Sequence, residues 1–150
     1  MELKKAVGKA FIIAVDTAIK PLVKAGIIPD MFAMLDGKKP LELVEVEEVR
    51  EIPMVAYVTG AKSIFNYHMG KKFFLDENYR YVQDLFAMNG KEIYQLPGGG
   101  SVATLAFSLV CHLGFDKIIL VGQDLAFTGN KSHADGTFKE TMAVEDTKDF

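Results

Sequence analysis

Short apolar runs recur about every twenty residues along the chain, and longer segments of mixed polarity separate them. Several of these runs are too apolar to alternate between a buried and an exposed face. Such runs are typical of strands in a parallel sheet that is covered on both faces. The six predicted strands are AFIIAV (10–15), MFAMLD (31–36), PMVAYVT (53–59), KKFFLD (71–76), EIYQLP (92–97) and KIILVG (117–122).

Helix-like segments lie between the predicted strands. Strand–helix alternation at this spacing predicts a mainly parallel sheet with helices on both faces, so the expected fold class is α/β, a three-layer α/β/α and Rossmann-like domain. A chain of 150 residues fits one such domain, which buries roughly 70% of its unfolded-chain surface. The predicted helices cover residues 18–25, 43–50, 60–68, 78–88 and 101–113.

The last predicted helix carries the clearest signals. Ser101 suits its N-cap, and Gly114 stands where a left-handed residue ends a helix. We expect Cys111 and His112, which lie within this helix, to be structural. Apolar residues at helical spacing predict one stripe packed against the sheet, formed by Val102, Leu105, Ala106, Leu109, Val110 and Leu113.

Composition and charge exclude some classes of protein. The net charge is −3 and no basic run stands out, which argues against sequence-independent binding of nucleic acid. The single cysteine rules out an internal disulfide framework and suits a reducing compartment. No apolar run approaches the ~20 residues of a membrane span, and the first residues lack the features of a signal peptide. We therefore expect a cytoplasmic protein that is not bound to membranes.

Candidate ligand-binding residues follow the predicted strands. Asp16, Asp36 and Asp124 each come at or just after the end of a strand, and Gly98–Ser101 joins a strand to the last helix. Ligands of open α/β sheets bind beyond the carboxyl ends of the strands. Glycines allow a ligand to approach the backbone, and a helix start offers free N–H groups to an anion. This arrangement predicts a nucleotide-type ligand.

Each of these features has a structural alternative. Asp16 or Thr17 would serve equally well as the cap of the next helix, and Asp36 in DGKKP as an ordinary turn residue. A triple glycine before a helix is often only a flexible loop. The spacing matches neither the dinucleotide-binding fingerprint G-x-G-x-x-G nor a Walker A loop with its lysine.

A polar loop, GQDLAFTGNKSHADGT (122–137), follows the last predicted strand. It contains His133, whose ordinary pKa near ~6.5 suits a general base. The alternative is a surface histidine without a catalytic role.

Two long stretches resemble one protein family. IIAVDTAIKPLVKAGIIPDMFAMLD and LPGGGSVATLAFSLVCHLGFDKIILVGQDLAFTGNKSHADGT are similar to the central domain of the Maf (motility accessory factor) flagellin glycosyltransferases. The resemblance covers roughly residues 10–36 and 92–137. The same superfamily includes archaeal 6-hydroxymethylpterin pyrophosphokinases and, more distantly, bacterial sialyltransferases that use CMP-sialic acid.

The resemblance implies a glycosyltransferase. It would transfer a nonulosonic, sialic-acid-like sugar from a CMP-activated donor to serine or threonine of flagellin, without a required metal or other cofactor. Asp124 and His133 would lie nearest the sugar and the acceptor and carry the catalysis. The nucleotide and substrate would be held by Asp16, Thr17, Asp36, Gly98, Gly99, Gly100, Ser101 and Gln123.

Two other functions stay open. One is transfer of diphosphate from ATP to a pterin, for which Mg²⁺ bound by Asp16, Asp36 and Asp124 would hold the phosphates. The other is a non-catalytic module with a nucleotide-binding fold. Members of the resembled family begin this domain with a further strand and a GxGPSL loop. The resemblance therefore implies a fragment of a longer protein that lacks this loop, binds nucleotides weakly and is inactive alone.

Overall fold

The computed structural model describes residues 2–122. Within this range the chain alternates between strands and helices. The strands are β1 (Ile13–Val15), β2 (Met31–Met34), β3 (Met54–Tyr57) and β4 (Lys72–Leu75). The α-helices are α1 (Ile19–Lys24), α2 (Lys62–Tyr67), α3 (Arg80–Met88) and α4 (Val102–His112), and the 3₁₀ helices are Glu2–Ala6, Asp16–Ala18, Leu41–Leu43 and Glu47–Val49.

The four strands form one parallel sheet in the order β1-β2-β3-β4. The register places Val15 opposite Ala33, Ala33 opposite Val55, and Val55 opposite Phe73. Parallel strands need a crossover connection between each pair, so all four strands point their carboxyl ends towards the same edge of the sheet. The predicted α/β class with a parallel sheet is confirmed.

Helices cover both faces of the sheet, because residues along each strand point alternately to opposite sides. Phe32, Met34 and Met54 pack on one face against α1, α2 and the 3₁₀ helices. Ala33 and Val55 face the other way and pack against α4. The predicted three-layer arrangement is therefore present, with two hydrophobic clusters separated by the sheet.

The structure confirms most of the features predicted for α4. Ser101 is its N-cap, Leu105 and Leu109 are buried against the sheet, and Gly114 adopts a φ of +83° just past the last turn. Leu113 was wrongly predicted to belong to the buried stripe, since its side chain is 51% exposed. The helix ends at His112, and the turn that follows directs Leu113 away from the sheet.

Three predicted elements differ from the structure. In place of the α-helix predicted over 43–50, the structure has two 3₁₀ helices, Leu41–Leu43 and Glu47–Val49, separated by a segment in which Val46 is extended. The β-branched valines of VEVEEV disfavour a longer helix. Residues 92–97 contribute only one bridge, between Tyr94 and Leu75. The segment 117–122 is not a strand, and Ile119 is 86% exposed. A strand needs a paired neighbour, which this segment does not have among the described residues.

A histidine is buried near the amino-terminal edge of the sheet. His68 follows α2 and packs edge-to-face against Phe32, with ring centroids 5.2 Å apart. Burial, helped by the nearby charge of Lys72, lowers the pKa of His68 below its usual 6.5. The imidazole is therefore held neutral in the folded state at the edge opposite the strand-end aspartates.

None of the helices in the described part of the chain has the length and apolar composition that crossing a membrane requires.

Shortening a leucine of α4 tests the packing between this helix and the sheet. Leu105 is 0% exposed, so Leu105→Ala leaves a cavity and should lower the free energy of unfolding by about 2–5 kcal/mol. Leu113→Ala, at the exposed residue just after the last turn of α4, is the control, and it should change that free energy by less than about 0.5 kcal/mol. Chemical denaturation measures both. Equal losses for the two variants would contradict the assigned packing.

Candidate functional site at the carboxyl edge of the sheet

The carboxyl edge of the sheet brings together polar residues from four consecutive strand ends. Asp16 follows β1, Asp36 lies two residues beyond β2, Thr59 two residues beyond β3, and Asp76 directly follows β4. Neighbouring strands lie about 4.8 Å apart, so these side chains form a row that a nucleotide is long enough to span. Asp16 and Asp36 share one edge, as the strand pattern predicts.

Asp16 is buried at the end of β1, with only 1% of its surface exposed. Its Oδ1 accepts a hydrogen bond from the N–H of Thr17, with an N–O distance of 2.8 Å. Its Oδ2 lies 3.2 Å from Nζ of Lys39 but makes no hydrogen bond with the described residues. An ion pair therefore holds the carboxylate, while one oxygen keeps hydrogen-bonding capacity.

The capping interpretation of Asp16 and Thr17 is wrong. The N-caps of the 3₁₀ helix Asp16–Ala18 and of α1 are Val15 and Ala18, and neither makes a side-chain capping bond. Asp16 is instead the first residue of the 3₁₀ helix, where its Oδ1 accepts the N–H of Thr17, and this bond leaves Oδ2 without an acceptor role in the helix start.

Asp36 is exposed and behaves as a turn residue, which was the alternative interpretation. Its Oδ1 accepts a hydrogen bond from the N–H of Lys38, at 2.8 Å. Gly37 packs so closely on the end of β3 that an added Cβ would lie 2.5 Å from the carbonyl oxygen of Thr59. The turn and this contact together direct Lys39 back over β1 to Asp16.

Each glycine before α4 has a local structural role. An added Cβ at Gly98 would lie 3.0 Å from the hydroxyl of Tyr57, and one at Gly99 would lie 2.9 Å from the side chain of Thr104. Gly100 has a φ of +75°, a conformation that other residues rarely adopt. The turn is therefore built into the sheet edge and is not simply a flexible loop.

A capping box closes the start of α4. The hydroxyl of Ser101 accepts a bond from the N–H of Thr104 at 3.1 Å, and the N–H of Ser101 donates to Oγ1 of Thr104 at 3.2 Å. The N–H groups of Val102 and Ala103 find no acceptor in residues 2–122. The helix start thus keeps two donors and the positive end of its dipole for an anion.

The direction of α4 places this start at the same edge as Asp16. Gly98 lies beside Tyr57 at the carboxyl end of β3. Beyond the other end of the helix, Phe115 stacks on Phe11, which precedes β1, with ring centroids 5.7 Å apart. The helix therefore runs across the sheet from the carboxyl end of β3 to the amino end of β1.

Asp76 is a buried residue of this row, and the sequence pattern did not single it out as a candidate site residue. Its side chain accepts bonds from the amide groups of Gln83 and Gln95 at 2.8 and 2.9 Å and from the N–H of Tyr79 at 3.3 Å. Burial alone would raise the pKa of Asp76, but these bonds, with that of the Asn78 N–H, lower it below the usual 3.8. Its position at a strand end, like that of Asp16, was the available signal.

Tyr57 and Glu77 complete the polar edge next to Asp76. The hydroxyl of Thr59 donates a hydrogen bond to Glu77 at 2.9 Å. Burial, together with the negative charges of Glu77 and Asp76, raises the pKa of Tyr57 above its usual 10.0. The Tyr57 hydroxyl therefore stays protonated beside Gly98 and remains available as a hydrogen-bond donor.

The predicted catalytic residues Asp124 and His133, and the predicted binding residue Gln123, lie outside the described residues. Among residues 2–122, no three His, Cys, Asp or Glu side chains come close enough to hold a metal ion. Asp16 faces Lys39, and Asp36 is turned into its own loop. These two aspartates therefore do not form the proposed magnesium site by themselves.

Replacing Asp76 tests the charge of this buried carboxylate. A carboxyl group whose pKa is lowered on folding stabilises the protein above its ordinary pKa of 3.8, and this contribution disappears as the pH falls through the folded pKa. Asp76→Asn should therefore lower the free energy of unfolding at neutral pH by roughly 1–3 kcal/mol and flatten its dependence on pH below about 4.

Denaturation at a series of pH values measures the effect. The control is Asp84→Asn, because Asp84 is exposed and forms a surface ion pair with Arg80. An Asp76→Asn variant with the stability and acid sensitivity of the wild type would contradict the assigned network.

One comparison with known proteins found a match. The family model described as 6-hydroxymethylpterin diphosphokinase MptE-like matches residues 1–130, a stretch that includes the whole described sheet. Searches of the curated proteins and of the solved structures gave no significant match. The family match supports the superfamily that the two long sequence stretches indicate and does not single out its flagellin glycosyltransferases. The chain belongs to the 6-hydroxymethylpterin diphosphokinase MptE-like family.

Proposed function

We propose that this chain is the nucleotide-binding module of a transferase and that its ligand lies across the carboxyl ends of β1, β2 and β3. The observation that carries the proposal is the buried carboxylate of Asp16, whose Oδ2 makes no hydrogen bond with the described residues. An ionised carboxylate only accepts hydrogen bonds. A ribose hydroxyl is a matching donor, and an acidic residue near a strand end is a common ribose partner in such folds.

The start of α4 suits the phosphate of the same ligand. Its free N–H groups at Val102 and Ala103 and its dipole favour a negative charge. The capping box fixes their direction before the ligand arrives, so little conformational freedom is lost on binding. The polar edge near Tyr57 and Glu77 offers a hydroxyl donor and carboxylate acceptors to further polar groups of the ligand.

The first candidate reaction is glycosyl transfer from a CMP-activated nonulosonic sugar to a serine or threonine of flagellin. It rests on the resemblance of the GQDLAFTGNKSHADGT stretch to flagellin glycosyltransferases. The acceptor oxygen bonds to the anomeric carbon as the bond from that carbon to the phosphate oxygen breaks, and CMP leaves. His133 or Asp124 takes the hydroxyl proton.

The second candidate reaction is transfer of diphosphate from ATP to a hydroxymethylpterin, which the description of the matched family favours. The pterin hydroxyl oxygen attacks the β-phosphorus, AMP leaves, and a base accepts the proton. Enzymes of this chemistry commonly use Mg²⁺ to neutralise phosphate charge. Asp16 and Asp36 do not form such a site by themselves.

Asp16→Asn tests the nucleotide site. We expect CMP or ATP to shift backbone amide signals of Thr17 and of residues 98–103 in NMR titrations, with weak affinity. The variant should weaken binding about tenfold, because a charge-assisted hydrogen bond becomes a neutral one. Asp84→Asn, at an exposed ion pair on α3, is the control and should bind as the wild type does. Shifts confined to other parts of the chain would refute the proposed site.

The released nucleotide distinguishes the two reactions. Release of CMP in the presence of flagellin and a CMP-activated sugar supports glycosyl transfer, and release of AMP from ATP with a hydroxymethylpterin supports diphosphate transfer. His133→Ala should lower turnover at least about a hundredfold with little effect on nucleotide affinity if His133 is the base. Turnover at the wild-type rate would exclude that role for His133.

A further inference from the structure

Lys39 forms an ion pair with the buried carboxylate of Asp16 at the carboxyl edge of the sheet. Nζ of Lys39 lies 3.2 Å from Oδ2 of Asp16, and the side chain of Lys39 is 20% exposed against 2% for that of Asp16. The ammonium group therefore has one side towards the protein interior and another towards solvent at the end of β1.

Lys39 is held in place by its loop as well as by its charge. Asp36 Oδ1 accepts a bond from the N–H of Lys38, and the carbonyl oxygen of Asp36 lies 3.4 Å from the N–H of Lys39. Gly37 lies against the backbone of Thr59. These contacts fix the loop between β2 and the 3₁₀ helix Leu41–Leu43, so the position of the ammonium does not depend on a freely moving chain.

Burying a carboxylate is unfavourable unless a partner compensates for its charge. Thr17 supplies a single N–H bond to Asp16, and Lys39 supplies the compensating charge. An ammonium group has three N–H donors, and the contact with one carboxylate oxygen leaves donors free on its exposed side. The pair can therefore bind a second anion through Lys39 without separating from Asp16.

We propose that Lys39 binds a phosphate group of the ligand while it remains paired with Asp16. This inference rests on the proposed nucleotide site and adds the residue that recognises the phosphate charge. Asp16 accepts a ribose hydroxyl through Oδ2, and Lys39 donates to the phosphate. The ion pair thus distinguishes a nucleotide from a nucleoside, because only the nucleotide satisfies both of its members.

Comparing each nucleoside with its nucleotide measures how much the phosphate group contributes to binding. NMR titrations compare cytidine with CMP and adenosine with AMP, and the ratio of the two dissociation constants reports the phosphate contribution. We expect the wild type to prefer each nucleotide by about tenfold, as one charge-assisted hydrogen bond implies. Lys39→Gln should lower this preference to the part that the start of α4 contributes, and Lys39→Arg should retain most of it. Lys38→Gln is the matched control, since it removes an adjacent exposed cation and should leave the preference unchanged.

Lys39→Gln removes the cation that compensates for the buried charge of Asp16, and this loss can prevent folding. A second variant that also removes the buried charge keeps the test possible in that case. The double variant Asp16→Asn with Lys39→Gln removes both charges, and its preference for nucleotide over nucleoside should be as low as that of Lys39→Gln. A nucleotide preference as large as that of the wild type in Lys39→Gln or in the double variant would overturn the proposal. So would its loss in Lys38→Gln to the same extent.

Inorganic phosphate gives a test that needs no variant. Phosphate added to the wild-type chain should shift the amide signals of Lys38, Lys39 and Thr17 more than those of the exposed helix α3. No shift at Lys39 would overturn the inference. If neither nucleosides nor nucleotides bind while phosphate still shifts Lys39, the proposed nucleotide site fails and the anion-binding role of Lys39 stands.

Discussion

Parallel pairing of short, apolar strands is the constraint on which the rest of this structure depends. Parallel strands cannot be joined by tight hairpins, so the chain must cross over one face of the sheet after each strand. The three crossovers between these strands cover the face that carries Phe32, and α4, which follows β4 and α3 in the chain, covers the face that carries Ala33. The same geometry brings every strand end to one edge. The polar row from Asp16 to Asp76 is thus a direct consequence of the pairing.

The three aspartates of this row differ in how deeply they are buried and in how many hydrogen bonds they accept. Asp76 accepts bonds from two amide side chains and the backbone, which saturates its carboxylate and keeps its pKa low. Asp36 is exposed and closes its own turn. Asp16 is buried, yet it has one backbone bond and one ion pair and leaves Oδ2 without a hydrogen bond from the described residues. Of the three, Asp16 therefore has the strongest physical reason to bind a ligand.

The glycine turn before α4 shows how a structural and a binding role coexist. Its close contacts with Tyr57 and Thr104 and the positive φ of Gly100 account for the glycines without any ligand. The same turn orients the helix start towards the sheet edge and leaves the N–H groups of Val102 and Ala103 without acceptors in the described part of the chain. A rigid, capped helix start binds an anion with less loss of entropy than a flexible loop does.

The sequence by itself determined the α/β class, the first four strands, the capped helix after Ser101 and the shared edge of Asp16 and Asp36. These features follow from local periodicity and capping residues. Only the tertiary structure decided that 117–122 is not a strand, that Leu113 leaves the buried stripe, and that Lys39 pairs with Asp16. Leu113 leaves the stripe because α4 ends one residue before it. The other two features depend on contacts between residues far apart in the chain, and the apolar pattern of a segment carries no information on which neighbour it meets.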